Sequence, residues 1–199
     1  MSAAGPARGC IGPNAVTRLA EALRADVGED GAARVFGRAG MSDYLVHPPE
    51  QMVEEAEVAR LHRNLREVFP GEDAQRLSLI AGARTGDYLL ANRIPRPVQA
   101  ILKMLPAPFA SYALLSAIRR HAWTFAGSGA FFALADNPTK LVISNNPMCR
   151  GVQSAEPTCH YYAATFERLF NALVHPNARV LETACEACGA GACVFEVGW

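Results

Sequence analysis

The hydrophobic pattern of the chain changes near residue 120. Before that point apolar residues recur at three- and four-residue steps, which is the period of an amphipathic helix. Prolines and glycines divide this region into five predicted helices, over residues 13–27, a short segment after Gly28, 49–69, 72–92 and 98–118. The last is interrupted at Pro106 and is apolar on most sides. We therefore expect it to be buried, to sit at an interface, or to face a lipid-like ligand.

After residue 120 the pattern favours strands. Residues 121–135 are rich in aromatic and small side chains, residues 140–144 are rich in β-branched ones, and the turn signal at 136–139 predicts a hairpin. Residues 157–174 return to helical spacing. Two further strands, 179–185 and 193–197, flank a loop that contains Gly189 and Gly191. Several helices followed by β-β-α-β-β predict an α+β fold with an antiparallel sheet.

Length and charge narrow the class of protein. The 199 residues suit a single compact unit, and 19 basic residues balance 19 acidic ones. This balance argues against a nucleic-acid partner, which requires a basic face. The longest uncharged stretches are shorter than the ~20 residues that a membrane span needs, and the N-terminus lacks the layout of a signal peptide. We expect a cytoplasmic protein.

The most informative chemistry lies in the cysteines near the C-terminus. Clustered cysteines in a cytosolic chain of this size indicate metal or redox chemistry more than disulfides. Cys159 is expected to start a helix and to face inward, and a hairpin can bring Cys185 and Cys193 together. Zinc prefers four ligands drawn from thiolate, imidazole and carboxylate, so these three with either Glu182 or Cys188 predict a structural zinc site.

Glu182 needs a special backbone to take part. In a regular strand Glu182 and Cys185 face opposite sides, so both can bind one ion only if the strand bulges or ends near Ala184. Cys188 would instead give an all-thiolate site. Two interpretations without a metal stay open: the cysteines are small buried apolar residues, or Cys185 and Cys188 form a redox pair.

Several motifs together resemble the 4-vinyl reductase domain family, from about the fourth helix to the end of the chain. They are His121-Ala122-Trp123, Asn146-Pro147, Cys159-His160-Tyr161-Tyr162, Leu181–Cys185 and Cys193-Val194-Phe195. The segment Gly86–Pro95 resembles the photosynthetic, BchJ-type branch, which acts in bacteriochlorophyll biosynthesis. Each motif alone would be weak, whereas the combination is specific.

The resemblance implies a fold, a metal and an assembly. The fold is related to that of a vesicle-tethering subunit that holds an acyl chain in a buried pocket. Sensor domains of the family bind zinc through Cys, Glu, Cys and Cys, which correspond here to Cys159, Glu182, Cys185 and Cys193, with Cys188 as the alternative fourth ligand. A homodimer through the N-terminal helical region, residues 1–70, is implied, with residues 71–199 as the ligand-binding domain.

The resemblance also implies a set of possible functions. The family name implies reduction of a vinyl group, yet no Gly-x-Gly-x-x-Gly follows a predicted strand, so the chain shows no NAD(P) or FAD motif. We therefore expect a carrier or assembly factor that holds a tetrapyrrole of the Mg-porphyrin type and hands it to enzymes of the same pathway. A 4-vinyl or 8-vinyl reductase component and a ligand-sensing regulator of a partner enzyme are the alternatives. Such a protein would be cytoplasmic or peripheral at the photosynthetic membrane.

Candidate ligand contacts come from the apolar segments, because a large flat ligand needs an apolar, aromatic pocket. Arginines at 93, 96, 119 and 120 flank the apolar helix and are placed to pair with propionates. Either of two histidines, 121 or 160, is a candidate axial ligand for magnesium. The predicted ligand-binding residues are Met104, Phe109, Tyr112, His121, Trp123, Phe125, Phe131, Phe132 and His160.

Overall fold

Helices dominate the first 120 residues of the computed structural model, which describes residues 9–135 and 137–199. The helices before the sheet are α1 (Asn14–Arg38), α2 (Asp43–Val46), α3 (Glu55–Val68), α4 (Glu72–Asn92), α5 (Arg96–Met104) and α6 (Ala107–Arg120). Two short strands, β1 (Cys10–Ile11) and β2 (Val53–Glu54), pair antiparallel ahead of α3. No helix among the described residues is both long and apolar enough to cross a bilayer.

One helix break predicted from the sequence is confirmed, and one helix boundary differs. The two helices predicted before residue 40 are both present within α1, since the chain leaves helical geometry at Gly28, which takes a φ of +75°, and becomes helical again after it. Glycine adopts this conformation at little cost, since it has no Cβ. The helix predicted over residues 49–69 begins only at Glu55, because Val53 and Glu54 pair with β1.

Four strands follow in one antiparallel sheet. They are β3 (Ala130–Leu134), β4 (Thr139–Ser144), β5 (Arg179–Ala184) and β6 (Cys193–Gly198), in the spatial order β3-β4-β6-β5. Helix α7 (His160–Leu173) connects the two hairpins. The predicted α+β fold is confirmed. The first strand is shorter than predicted because residues 122–124 form a 3-10 turn. Asp136 of the predicted turn, and residues 1–8 of the predicted N-terminal region, lie outside the described residues.

Helices α4 and α7 pack at very short distance. A Cβ atom on Gly82 would lie 2.2 Å from the carbonyl oxygen of Tyr161, and one on Gly86 would lie 2.6 Å from the Cβ of Arg168. The hydroxyl of Thr165 donates to the carbonyl of Gly82 at 3.0 Å. The small residues of α4 therefore fix the position of α7, and with it the position of Cys159 directly before that helix.

Candidate metal centre and aromatic surface

Four buried cysteines converge where β4, α7 and the β5–β6 hairpin meet. The Sγ atoms of Cys149, Cys159, Cys185 and Cys193 all lie within 4.8 Å of one another. All four are free thiols that are nearly inaccessible to solvent. Three of them, Cys159, Cys185 and Cys193, belong to the set predicted from the sequence. The fourth, Cys149, does not.

The sheet order explains how Cys149 reaches the cluster. β4 pairs with β6 so that Ile143 lies opposite Cys193, and the chain turns after β4 into a short 3-10 helix that ends at Cys149. The pairing of β4 with β6 joins the two hairpins, and the order of the strands along the chain does not reveal it. The sequence signal that was available is the Asn146-Pro147 turn, which places Cys149 just beyond a strand end.

The β5–β6 hairpin brings the other two sulfurs together. Cys185 follows β5 directly, and a 3-10 turn ends at Gly189, which takes a φ of +89°. The amide of Ala190 donates back to the carbonyl of Cys185 at 3.2 Å. Because a side chain would be strained at that φ, Gly189 allows the chain to return at once to Cys193.

The spacing of the sulfurs fits a tetrahedral metal site. The Sγ of Cys149 lies 3.3 Å from that of Cys159, 3.9 Å from that of Cys185 and 3.5 Å from that of Cys193. A zinc ion with Zn–S bonds of ~2.3 Å requires sulfurs about 3.8 Å apart, which is the edge of that tetrahedron. The residues present therefore fit a zinc site with four cysteine ligands.

Hydrogen-bond donors surround the sulfurs, as thiolate ligands require. The side-chain amide of Asn146 donates to the Sγ of Cys159 and to that of Cys193, at 3.3 Å each. The backbone amide of Glu186 donates to the Sγ of Cys193 at 3.4 Å. The carboxylate of Glu186 in turn accepts from the backbone amides of Asn145 and Asn146 at 2.6 and 2.8 Å, which holds the Asn146 amide in place.

Mutual hydrogen bonds shift the pKa values of the clustered thiols in opposite directions. Hydrogen bonds from Cys149, Cys159 and Cys193 lower the pKa of Cys185, whereas the neighbouring sulfurs, Cys149 first, raise the pKa of Cys159. Arg66 lies near the cluster: burial lowers its pKa, and the negative charge of Cys159 acts in the opposite direction. A cation at the centre would allow all four sulfurs to be thiolates.

Glu182 lies beside the cluster, and the predicted irregularity of its strand is present. The register of β5 against β6 shifts between Glu182 and Ala184. One carboxylate oxygen of Glu182 accepts from the backbone amide of Cys159 at 2.8 Å, and the other is buried without a hydrogen-bond partner among the described residues. Burial is the main cause that raises the pKa of Glu182 to about 8, and the negative charge of Cys185 is the second. Cys188 is exposed and lies outside the group of four sulfurs.

The predicted ligand-binding residues lie in different surroundings. Phe125 and Phe131 meet edge to face with ring centroids 5.2 Å apart, and Phe125 packs against Phe166 of α7 at 5.8 Å. Phe132 is exposed, since successive residues of a strand point to opposite faces. His160 lines a cleft of about 600 Å³ with Arg63 and Arg66. The exposed residues of the predicted set are Met104, Phe109, Tyr112, His121, Trp123 and Phe132.

Comparisons with known proteins relate this chain to a family. The family model of the 4-vinyl reductase domain matches residues 139–199, which contain all four clustered cysteines. The bacteriochlorophyll synthase 23 kDa chain of Cereibacter sphaeroides is 46% identical over 94% of this chain and 89% of its own length. The protein of the same name from Rhodobacter capsulatus is 40% identical over 93% of this chain and 85% of its own length.

Solved structures share the fold at low sequence identity. An Fe(II) unliganded H-NOX protein from K. algicida matches with a TM-score of 0.56 at 10% identity, over 94% of this chain and 96% of that one. An H-NOX protein from S. oneidensis in the Fe(II)NO state matches with a TM-score of 0.53 at 11% identity, over 94% and 98%. The sequence relatives and the domain match together show that this chain belongs to the 4-vinyl reductase domain family, with the bacteriochlorophyll synthase 23 kDa chains.

Proposed function

We propose that this protein acts in bacteriochlorophyll biosynthesis by holding a tetrapyrrole intermediate of the Mg-porphyrin type, as a carrier or assembly factor. The pathway is supported by two relatives that are named bacteriochlorophyll synthase 23 kDa chains and align over most of both lengths. Tetrapyrrole binding is supported by the surface at the C-terminal end of α6.

The observation that carries the proposal is a group of aromatic residues that opens from the core to the surface. We call Trp123, Phe125 and Phe131 the aromatic seam. Phe125 and Phe131 are half-buried, and their inner sides contact Phe166 at 5.8 and 6.2 Å between ring centroids. Trp123 is 42% exposed. A planar conjugated ligand gains stacking energy from such rings, and their position against α7 makes the surface rigid.

Basic and nitrogen groups next to the seam suit the polar parts of a Mg-porphyrin. Arg119 and Arg120 end α6 and are exposed, which allows them to pair with propionate carboxylates. The Nδ1 of His121 lies 2.9 Å from the carbonyl oxygen of Ala117. Because a carbonyl only accepts, Nδ1 is the donor in this contact, which leaves Nε2 as the ring nitrogen that can face a metal.

The four clustered thiols would hold a structural zinc ion in this protein. Zinc would connect the end of β4, the start of α7 and the β5–β6 hairpin, since each contributes at least one of the cysteines. α7 carries Phe166, which supports the aromatic seam. Four protein ligands leave no open position for a substrate, so zinc there serves the fold.

Absorption titration with Mg-protoporphyrin tests the proposal. We expect a shifted Soret band that saturates at one pigment per chain. Trp123→Ala should weaken binding by about fivefold, from the loss of one stacking partner. Trp199→Ala is the matched control, because Trp199 is 44% exposed but stacks on Phe170 instead. No shift with micromolar pigment, or equal losses in the two variants, would count against binding at the seam.

A further inference from the structure

We propose that the outer face of α5 and α6 docks on the surface of an anionic lipid bilayer. This interaction surface lies on the helices before the aromatic seam, and it does not depend on the pigment proposal. We call it the α5–α6 face. Its members are Arg93, Arg96, Val98, Ile101, Lys103, Met104, Leu105, Phe109 and Tyr112.

Large apolar side chains on this face lie open to solvent. Met104 is 85% exposed, Tyr112 70%, Phe109 67% and Ile101 60%. Val98 and Leu105 are exposed as well. Apolar residues exposed singly are common, whereas a contiguous group of this kind marks an interaction site.

The two helices have separate inner faces that serve the core. Leu102 is buried on α5, and Leu114, Leu115 and Ile118 are buried on α6. Val98, Ile101 and Leu105 follow at three- and four-residue steps beside Leu102 on α5, yet all three are exposed. On α6, Phe109 and Tyr112 are exposed on the side away from Ile118. The outer apolar stripe is therefore not explained by packing within the chain.

The charge of this region favours an anionic partner. Residues 88–135 contain five basic residues and no aspartate or glutamate, in a chain whose net charge is zero. Three of the five are exposed: Arg96 and Lys103 on α5, and Arg93 just before it. A second copy of the chain would bring the same positive charges against these, which disfavours self-association through this face.

A bilayer surface satisfies both features at once. Apolar side chains of an interfacial helix enter the boundary between headgroups and acyl chains, while basic residues contact the anionic lipids. Met104 and Leu105 lie at the connection between α5 and α6, where they would enter furthest. The helices would lie along the surface, because neither is long enough to cross it.

The aromatic seam lies at the other end of α6 from Met104 and Leu105. α6 has 14 residues, which corresponds to about 20 Å along the helix. The seam and the part of the face that enters the bilayer furthest are therefore separate places on the protein.

Vesicle flotation with the full chain tests the proposal. The probes are vesicles of phosphatidylcholine alone and of phosphatidylcholine mixed with phosphatidylglycerol. We expect binding to the mixed vesicles at low salt, weaker binding at high salt because exposed charges are screened, and little binding to the neutral vesicles. Equal binding to both vesicles, or none to either, would overturn the proposal.

Substitutions on the α5–α6 face distinguish lipid docking from nonspecific hydrophobic adsorption. The double variant Met104→Glu with Phe109→Glu should lose at least about tenfold in vesicle affinity, since it removes apolar contact and adds repulsion. Leu181→Glu is the control, because Leu181 is 68% exposed on the sheet, away from this face. Unchanged binding by the double variant would overturn the proposal. So would a dimer that the double variant dissociates in the absence of lipid.

Pigment titration of the same double variant keeps the two proposals distinguishable. We expect its Mg-protoporphyrin affinity to match that of the unsubstituted protein, since Trp123, Phe125 and Phe131 are untouched. If the double variant lost pigment binding and kept vesicle binding, the α5–α6 face would be part of the pigment site. Vesicle binding by a protein that shows no pigment shift would leave the docking proposal standing and end the carrier proposal.

Discussion

The side-chain amide of Asn146 donates a hydrogen bond to the sulfur of Cys159 at 3.3 Å, inside the core. Asn146 is fully buried, and the turn that holds it also leads from β4 to Cys149. The same short segment thus supplies one sulfur of the cluster and a donor to two others. We infer that it is the element on which the proposed zinc site would depend most.

Asn146→Asp tests the role of this donor. The substitution keeps the size of the side chain and places a carboxylate beside sulfurs that are thiolates when zinc is bound. Zinc affinity should fall by about 10- to 100-fold, as is usual for lost outer-shell partners, in a competition assay with a chromophoric chelator. Asn177→Asp, in an exposed turn, is the control and should keep the affinity. Equal affinities for the two variants would contradict the assignment.

Cys149→Ser tests the fourth ligand. If the four sulfurs bind zinc, this variant should lose metal and thermal stability together, because structural zinc contributes directly to folding. Cys188→Ser should lose neither, since Cys188 is exposed and outside the cluster. Elemental analysis and thermal unfolding measure both effects. Loss of zinc in Glu182→Gln but not in Cys149→Ser would identify Glu182 as the ligand instead.

Gly82→Ala tests the close contact between α4 and α7. The new methyl group would lie 2.2 Å from the carbonyl oxygen of Tyr161, so the helices must separate. We expect a loss of about 1–3 kcal/mol or more in the free energy of unfolding, measured with urea. Gly191→Ala should change it by less than about 0.5 kcal/mol, because nothing lies within 4 Å of the added atom. A stable Gly82→Ala protein would mean that the helices are less constrained than the contact implies.

His62 should make stability depend on pH. It is buried on α3 with Nε2 3.0 Å from the carbonyl oxygen of Ala15, and burial lowers its pKa to about 4. Below pH ~6.5 the unfolded chain takes up a proton that the folded chain refuses, so stability falls between about 6.5 and 4 and levels off below. The lost free energy of unfolding amounts to about 3 kcal/mol.

The comparison of wild type with His62→Gln isolates this effect. Other groups, including Glu182, titrate in the same range, and the difference between the two proteins cancels them. The free energy of unfolding, measured with urea across the pH series, should fall more steeply on acidification in the wild type. Parallel curves would show that His62 is accessible to protons in the folded state.

The sequence predicts local elements well where the pattern is strong. The helix predicted over residues 72–92 matches α4, and the hairpin with Gly189 and Gly191 brings Cys185 and Cys193 together. These features depend on neighbours in the chain. Cys149 was missed because its place depends on the pairing of β4 with β6, which joins segments about 50 residues apart.

The α5–α6 region shows a second limit of prediction from the sequence. The apolar character of residues 98–118 is evident in the sequence, but burial, interface and ligand contact give the same pattern. Only the packed chain separates Leu102, which is buried, from Met104, which is exposed. The tertiary contacts of α6 with its neighbours decide this, and periodicity does not contain them.

Recovery of the pigment after binding tests the central claim most directly. The protein is incubated with NADPH and a divinyl Mg-porphyrin, separated from free pigment by gel filtration, and the bound pigment is extracted and identified by chromatography and mass. The carrier account predicts one chemically unchanged pigment molecule per chain. Recovery of the monovinyl product, or a protein fraction that contains no pigment, would contradict it.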